Sequence, residues 1–236
     1  MRPVSRGIAP QAYARYEDAK QDLVNALGSY CSYCERRIAT LLAVEHIQPK
    51  ALPQYAHLET VWDNFLLGCT NCNSAKSKKP VELTGYLIPD RDNTFVAFSY
   101  DDLGMVNPAA NLPAAMNQMA LDTIALVALN RMEHEEWDED VMFSALERAG
   151  QRVQAWDQAR EALSDYQAQR TSARAIAREA ASCGFFSIWM AAFEGYAEVR
   201  TEMLTAFAGT ASECFDANGQ PVSPRPDTGL QGGSKL

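Results

Sequence analysis

Four of the six cysteines fall into two Cys-x-x-Cys pairs, Cys31/Cys34 and Cys69/Cys72. Each pair puts two thiolates on one turn, and two such turns can close a tetrahedral shell around Zn²⁺. The 34 residues between the pairs exceed the ~15–20 of a simple zinc ribbon, so the intervening loop must hold something. It holds Val44-Glu45-His46-Ile47-Gln48-Pro49-Lys50 and then Trp62-Asp63-Asn64-Phe65-Leu66-Leu67, and the second pair runs straight into Asn73 and Lys76. If Glu45 and His46 lie together at a strand end, their side chains diverge, so that one can hold a metal while the other faces a water. A histidine titrating near ~6.5 suits proton abstraction at neutral pH.

The elements that must position these groups are short. Residues 10–27 read as an amphipathic helix, with Tyr13, Tyr16, Ala19, Leu23 and Leu27 at helical spacing and Gly28 at the place of a C-terminal cap. A thiol-bearing turn follows at 30–34, and then come an apolar β-compatible run at 41–47, a polar loop at about 50–60, a second apolar run at 62–67 and a turn leading into a short basic helix by 79. Two further strands are predicted at 85–89 and 94–100, joined through Asp90-Arg91-Asp92-Asn93 as a hairpin turn, with a second turn at Asp101-Asp102-Leu103-Gly104.

From about 114 the pattern is helical. Met116, Met119, Ile124 and Val127 mark one helix. Met142, Leu146, Val153, Trp156, Leu163 and Tyr166 mark a long segment over 137–182, which Gly150 can divide. Phe185, Phe186, Ile188, Trp189, Met190 and Phe193 read as core. His57 and His134 read as solvated, Cys183 and Cys214 as buried free thiols, and Trp62 as packing behind the loop. Beyond Phe215 no apolar periodicity remains, so 216–236 is expected to be disordered. The predicted organisation is α+β: a ββα core with a four-cysteine zinc site and a small β-hairpin over 1–109, a mostly helical region over 110–215, and the tail.

Glu45-His46-Ile47-x-Pro49, Asn64-x-Leu66 and Cys69-x-x-Cys72-Asn73-x-x-Lys76 together resemble the HNH endonuclease motif in its zinc-stapled ββα-metal form, over residues 31–79 in order and spacing. The third letter is Asn73 instead of His, which removes an imidazole ligand. The opening Met1-Arg2-Pro3-Val4-x-Arg6-Gly7, the turn Gly28-x-Tyr30-Cys31-Ser32-Tyr33-Cys34-Glu35-Arg36 and Val44-Glu45-His46-x-x-Pro49-Lys50 resemble, more narrowly, the HNH nucleases of retron and Septu (PtuB-type) anti-phage systems, which work beside an ABC/AAA-type ATPase.

This resemblance implies phosphodiester hydrolysis, with Glu45 and Asn73 as ligands of a catalytic cation and His46 as general base. Asn64 would tie the loop together by hydrogen bonds and hold His46 in orientation. Lys76, one helical turn beyond Asn73, would meet a phosphate or the leaving group, unless Lys76, Lys78 and Lys79 only form a basic face. Two oxygen ligands completed by water and phosphate suit Mg²⁺ or Mn²⁺, while Zn²⁺ prefers the thiolates. DNA is the favoured substrate. RNA presents the same phosphodiester, and a zinc module that only binds a partner is the third alternative.

The formal net charge of −9 argues against nucleic acid until it is divided: residues 1–80 carry +3 and residues 81–236 carry −12. The acidic remainder suits a protein partner or a solvated surface. No run approaches the ~18 apolar residues of a membrane helix, and the opening residues do not read as a secretory signal, so a cytoplasmic location is expected. Ser234-Lys235-Leu236 matches a peroxisomal address, a match of three residues that chance supplies readily.

Overall fold

The computed structural model describes residues 1–131 and 139–236, with backbone alone described for 139–146. His134, Met142 and Leu146, singled out above, fall outside the residues whose side chains are described. The architecture is α+β. A two-stranded antiparallel pair, β1 (Ala43–His46) and β2 (Phe65–Gly68), leads through Cys69 into α2 (Thr70–Lys76), and α1 (Lys20–Leu27) packs against both strands. All of β2, and Val44, Glu45 and His46 of β1, are buried.

The expected hairpin at 85–89 and 94–100 does not form. Residues Leu83–Gly85 make a single 3₁₀ turn, Thr94–Ala97 is a helical turn (α3), and the hairpin instead joins β3 (Phe98–Tyr100) to β4 (Val106–Pro108) through the turn at 101–104. The reason lies in Asp90-Arg91-Asp92-Asn93, all four of them buried. Asp90 takes Arg6 at 2.6 Å and also pairs with Arg91. Asp92 accepts the Ile88 amide and the Lys235 ammonium. The Asn93 amide bonds the Cys214 and Val222 carbonyls and caps α3 through the Phe95 amide. Residues with turn chemistry are used here as an internal polar knot.

The same knot orders the segment expected to be disordered. Arg225 is buried and donates to the Pro89 and Val4 carbonyls and to Glu213. The Leu236 carbonyl accepts from Asn93 and Arg225, and Ser234 and Lys235 bond the knot, so residues 234–236 are packed away. Apolar periodicity misses this segment because polar anchors hold it.

The helical part comprises α4 (Ala114–Leu126), α5 (Glu139–Gln167), α6 (Ala173–Cys183), α7 (Phe186–Ala192) and α8 (Ala197–Ala206). Gly150 does not divide α5, and the chain breaks instead between Gln167 and Ala173. Phe186, Trp189, Met190 and Phe193 form a second core with α6 and α8, whereas α4 buries Ala120, Ile124 and Leu126 in the same core as β1 and β2. The division placed at 109/110 therefore runs through a shared core. Cys214 is buried, Cys183 half-buried and His57 exposed. No helix among the described residues is long and apolar enough to cross a membrane.

Burial pushes the Asp90 carboxyl up, but Arg6 and Arg91 outweigh it and hold the group below its usual value. That contribution to stability is fully present above about pH 3.9, the ordinary carboxylate value, and is lost as pH falls through the lower folded value. Asp90→Asn should thus destabilise at neutral pH and lose less on acidification. Urea midpoints at neutral pH and near pH ~3 check this, and equal acid losses in the two proteins would contradict it.

Candidate metal and catalytic centre

Two turns bring the thiols together. The first is closed by the Tyr30–Arg37 bridge, with Glu35 in the left-handed region at φ 62°. The second is the start of α2, where Cys69 is the N-cap and its sulfur accepts the Cys72 amide at 3.5 Å. The Ser32 amide bonds the Leu67 carbonyl at 2.8 Å and the Cys69 amide bonds the Cys31 sulfur at 3.4 Å, which seats the first turn against β2.

The four sulfurs lie within 4.8 Å of one another, and Cys34 Sγ is 3.7 Å from Cys69 Sγ. Zn–S bonds of about 2.3 Å at tetrahedral angles need sulfurs roughly 3.75 Å apart, so the cluster suits a structural zinc. Hydrogen bonds from Cys31 first, then from Cys34 and Cys72, hold the Cys69 thiol far below its ordinary value, while burial pushes the Cys31 thiol well above its own and the bond with Cys31 does the same to Cys72.

The β1–β2 register pairs His46 with Phe65 and Glu45 with Leu66. A cleft of about 210 Å³ is lined by Glu45, His46, Asn73 and Lys76, together with Tyr16 and Lys50. A Cβ on Gly68 would sit 3.1 Å from the Glu45 Cβ and 3.6 Å from the Asn73 Cβ, so the glycine leaves room for both side chains to approach.

His46 is 8% exposed. Its ring meets Tyr16 and Phe65 edge-on, at 4.9 and 5.1 Å between centroids. Nε2 lies 2.9 Å from the Glu59 carbonyl oxygen. A carbonyl can only accept, so Nε2 carries the proton of the neutral ring and Nδ1 keeps the lone pair. Burial holds the imidazole below its ordinary value, against the Glu59 bond, so the ring is neutral at neutral pH.

Asn64 accepts the Gln48 amide at 2.8 Å and donates to the Gln48 carbonyl at 2.9 Å and the Leu58 carbonyl at 3.5 Å. Its side chain thereby spans the loop between the strands and fixes the chain two residues past His46.

Lys76 lines the cleft as expected, but its ammonium is engaged inside the protein. Its ammonium is buried, 2.9 Å from Glu45 Oε1 and 2.7 Å from the His46 carbonyl oxygen. It pairs with Glu45 and buttresses the strand end. Burial pushes the Glu45 carboxyl up, and Lys76 opposes that shift. Asn73 is half-buried, and its side chain makes no hydrogen bond among the described residues. Glu45 and Asn73 thus offer a carboxylate and an uncommitted amide oxygen on one cleft, a donor set that fits a hard divalent cation.

Three contributors to the site carry little or no sequence signal: Tyr16 against the imidazole, Gly68 between the Glu45 and Asn73 side chains, and Arg6. Arg6 donates to the Phe65 carbonyl at 2.7 Å and the Asp63 carbonyl at 2.9 Å, holding the start of β2 opposite His46. Only Arg6 carried a signal, through its place in the opening motif.

Residues 31–79 match the family model described as HNH endonuclease. The chain thus carries an HNH endonuclease domain there, with the four-cysteine cluster inside it. No curated protein matches the chain.

Elemental analysis should find one tightly held zinc per chain, and Cys31→Ser or Cys72→Ser should release it and unfold the surrounding turns. A well-folded, zinc-free variant would contradict a structural role. Lys76→Met leaves the Glu45 carboxylate buried and uncompensated and should cost about 3–5 kcal/mol in denaturant unfolding. A loss below about 1 kcal/mol, the size of an exposed pair, would contradict the buried pair.

Proposed function

We propose that this chain is a metal-dependent endonuclease that hydrolyses nucleic-acid phosphodiester bonds, DNA in the first instance, at the Glu45–His46–Asn73 cleft. The observation that carries the reading is the orientation of His46. Its tautomer is set by the Glu59 carbonyl and its ring is held by Tyr16 and Phe65, in a cleft shared with two oxygen donors and inside a segment matching the HNH family.

In this reading Nδ1 of His46 takes the proton from the attacking water, and burial keeps that nitrogen unprotonated for the task. Glu45 and Asn73 would hold Mg²⁺ or Mn²⁺, which supplies Lewis-acid neutralisation of charge on the phosphate. Lys76 opposes the upward shift of the Glu45 carboxyl and holds it in place, and Asn64 keeps the loop from shifting His46.

The narrower resemblance supports a wider role. The chain is proposed as the nuclease effector of a bacterial anti-phage system, acting in the cytoplasm beside an ABC/AAA-type ATPase. The acidic balance of residues 81–236 favours a protein partner for that part of the molecule. Affinity purification of the full chain from its native host, read by mass spectrometry, should recover an ATPase, and its absence would remove the partner from the proposal.

Plasmid and total RNA incubated with Mg²⁺ or Mn²⁺, with the partner present, test the activity itself. His46→Ala should lower the cleavage rate about 10²–10⁴-fold while retaining zinc. A variant cleaving as fast as the wild type would remove His46 from the reaction, and cleavage of RNA alone would move the substrate.

A further inference from the structure

With Lys76 committed to Glu45, the negative charge of the substrate needs another cation, and the geometry points to Lys50 as the residue that binds a substrate phosphate at the mouth of the cleft. This inference rests on the nuclease reading above and adds the phosphate contact to it.

Lys50 lines the same cleft as Glu45, His46 and Asn73. Its side chain is 33% exposed, against 2% for Lys76, so it is the more open of the two to a ligand entering the cleft. Two neighbours fix its place, and both also touch the base. The ammonium stands 3.9 Å over the centre of the Tyr16 ring, whose own contact with the His46 ring is the edge packing already described. The ammonium also pairs with the Glu59 carboxylate, and the Glu59 backbone carbonyl is the partner of His46 Nε2. The charge of Lys50 is therefore positioned relative to the nitrogen that takes the proton.

Neither neighbour uses the ammonium up. An aromatic face attracts a cation without neutralising it. The Glu59 side chain is 52% exposed, and an ion pair so open to water is weak. An ammonium carries three N–H donors, so a phosphodiester oxygen can accept one of them while Glu59 keeps another. Lys78 also lines the cleft, but it has no described contact with Tyr16 or His46 to fix it there.

The test is equilibrium binding by the full chain carrying His46→Ala, which prevents turnover, to a short duplex DNA and to a single-stranded RNA across a salt series. Zinc content and circular dichroism verify the fold. Adding Lys50→Gln should weaken binding severalfold and flatten the slope of log K against log salt by about 0.9 on the duplex or about 0.7 on the single strand. Lys50→Arg should restore both. An unchanged slope with Lys50→Gln overturns the assignment. If the parent protein binds neither nucleic acid, the nuclease reading itself fails and the Lys50 assignment falls with it.

Discussion

The register of one short strand pair decides everything at this site. Side chains along a strand alternate between faces, so a slip of a single residue between β1 and β2 would exchange the places of Glu45 and His46. Four residues a side cannot hold a register by themselves, and the molecule supplies three clamps. The Ser32 turn bonds the free edge of β2, Asn64 closes the loop end, and Arg6 grips the backbone where β2 begins. The sulfur cluster anchors the first of these and launches α2 with Asn73 on it. A metal ion held by these four sulfurs would be a register device as much as a source of stability.

Around that pair the chain uses charge internally in a way its formal balance hides. Arg2, Arg6, Arg152 and Arg225 are all buried and all reach backbone carbonyls distant in sequence. Arginine suits this work because its planar fork presents several donors and stays protonated when buried. The mild basic excess of residues 1–80 is consequently not a surface property as a whole. Arg2, Arg6 and Lys76 are interior struts, which concentrates the cleft's exposed positive charge on residues such as Lys50 and Lys78.

That distinction explains what could be read from the chain beforehand. The two thiol pairs, the acid–imidazole strand and the α+β class were legible because metal ligands and strand alternation impose spacing on sequence. The function of Asp90-Arg91-Asp92-Asn93 was not, since the residues that make good exposed turns are also good at satisfying buried polar groups, and composition does not say which. The order of residues 216–236 was hidden for a related cause: Arg225 and Lys235 dock by hydrogen bonds, which leave no periodic trace. Lys76 was legible as a neighbour of Asn73 but not as the partner of Glu45, because its burial depends on how deep β1 sits in the core. Gly150 misled in the opposite direction, because a long helix that packs against α6 and α7 absorbs one glycine.

Glu35, the residue after Cys34, turns the sulfur-bearing loop towards the helical body and accepts both the amide and the hydroxyl of Ser187 at the start of α7. Gly184 lies so close beneath it that an added methyl would stand 2.7 Å from the Glu35 carbonyl oxygen and the Arg37 nitrogen. The segment that matches the HNH family is therefore not a portable cassette. A graft of residues 31–79 into a foreign scaffold would carry a carboxylate stripped of its donors beside the four cysteines, so recombination that shuffles this module must bring Gly184 and the start of α7 with it.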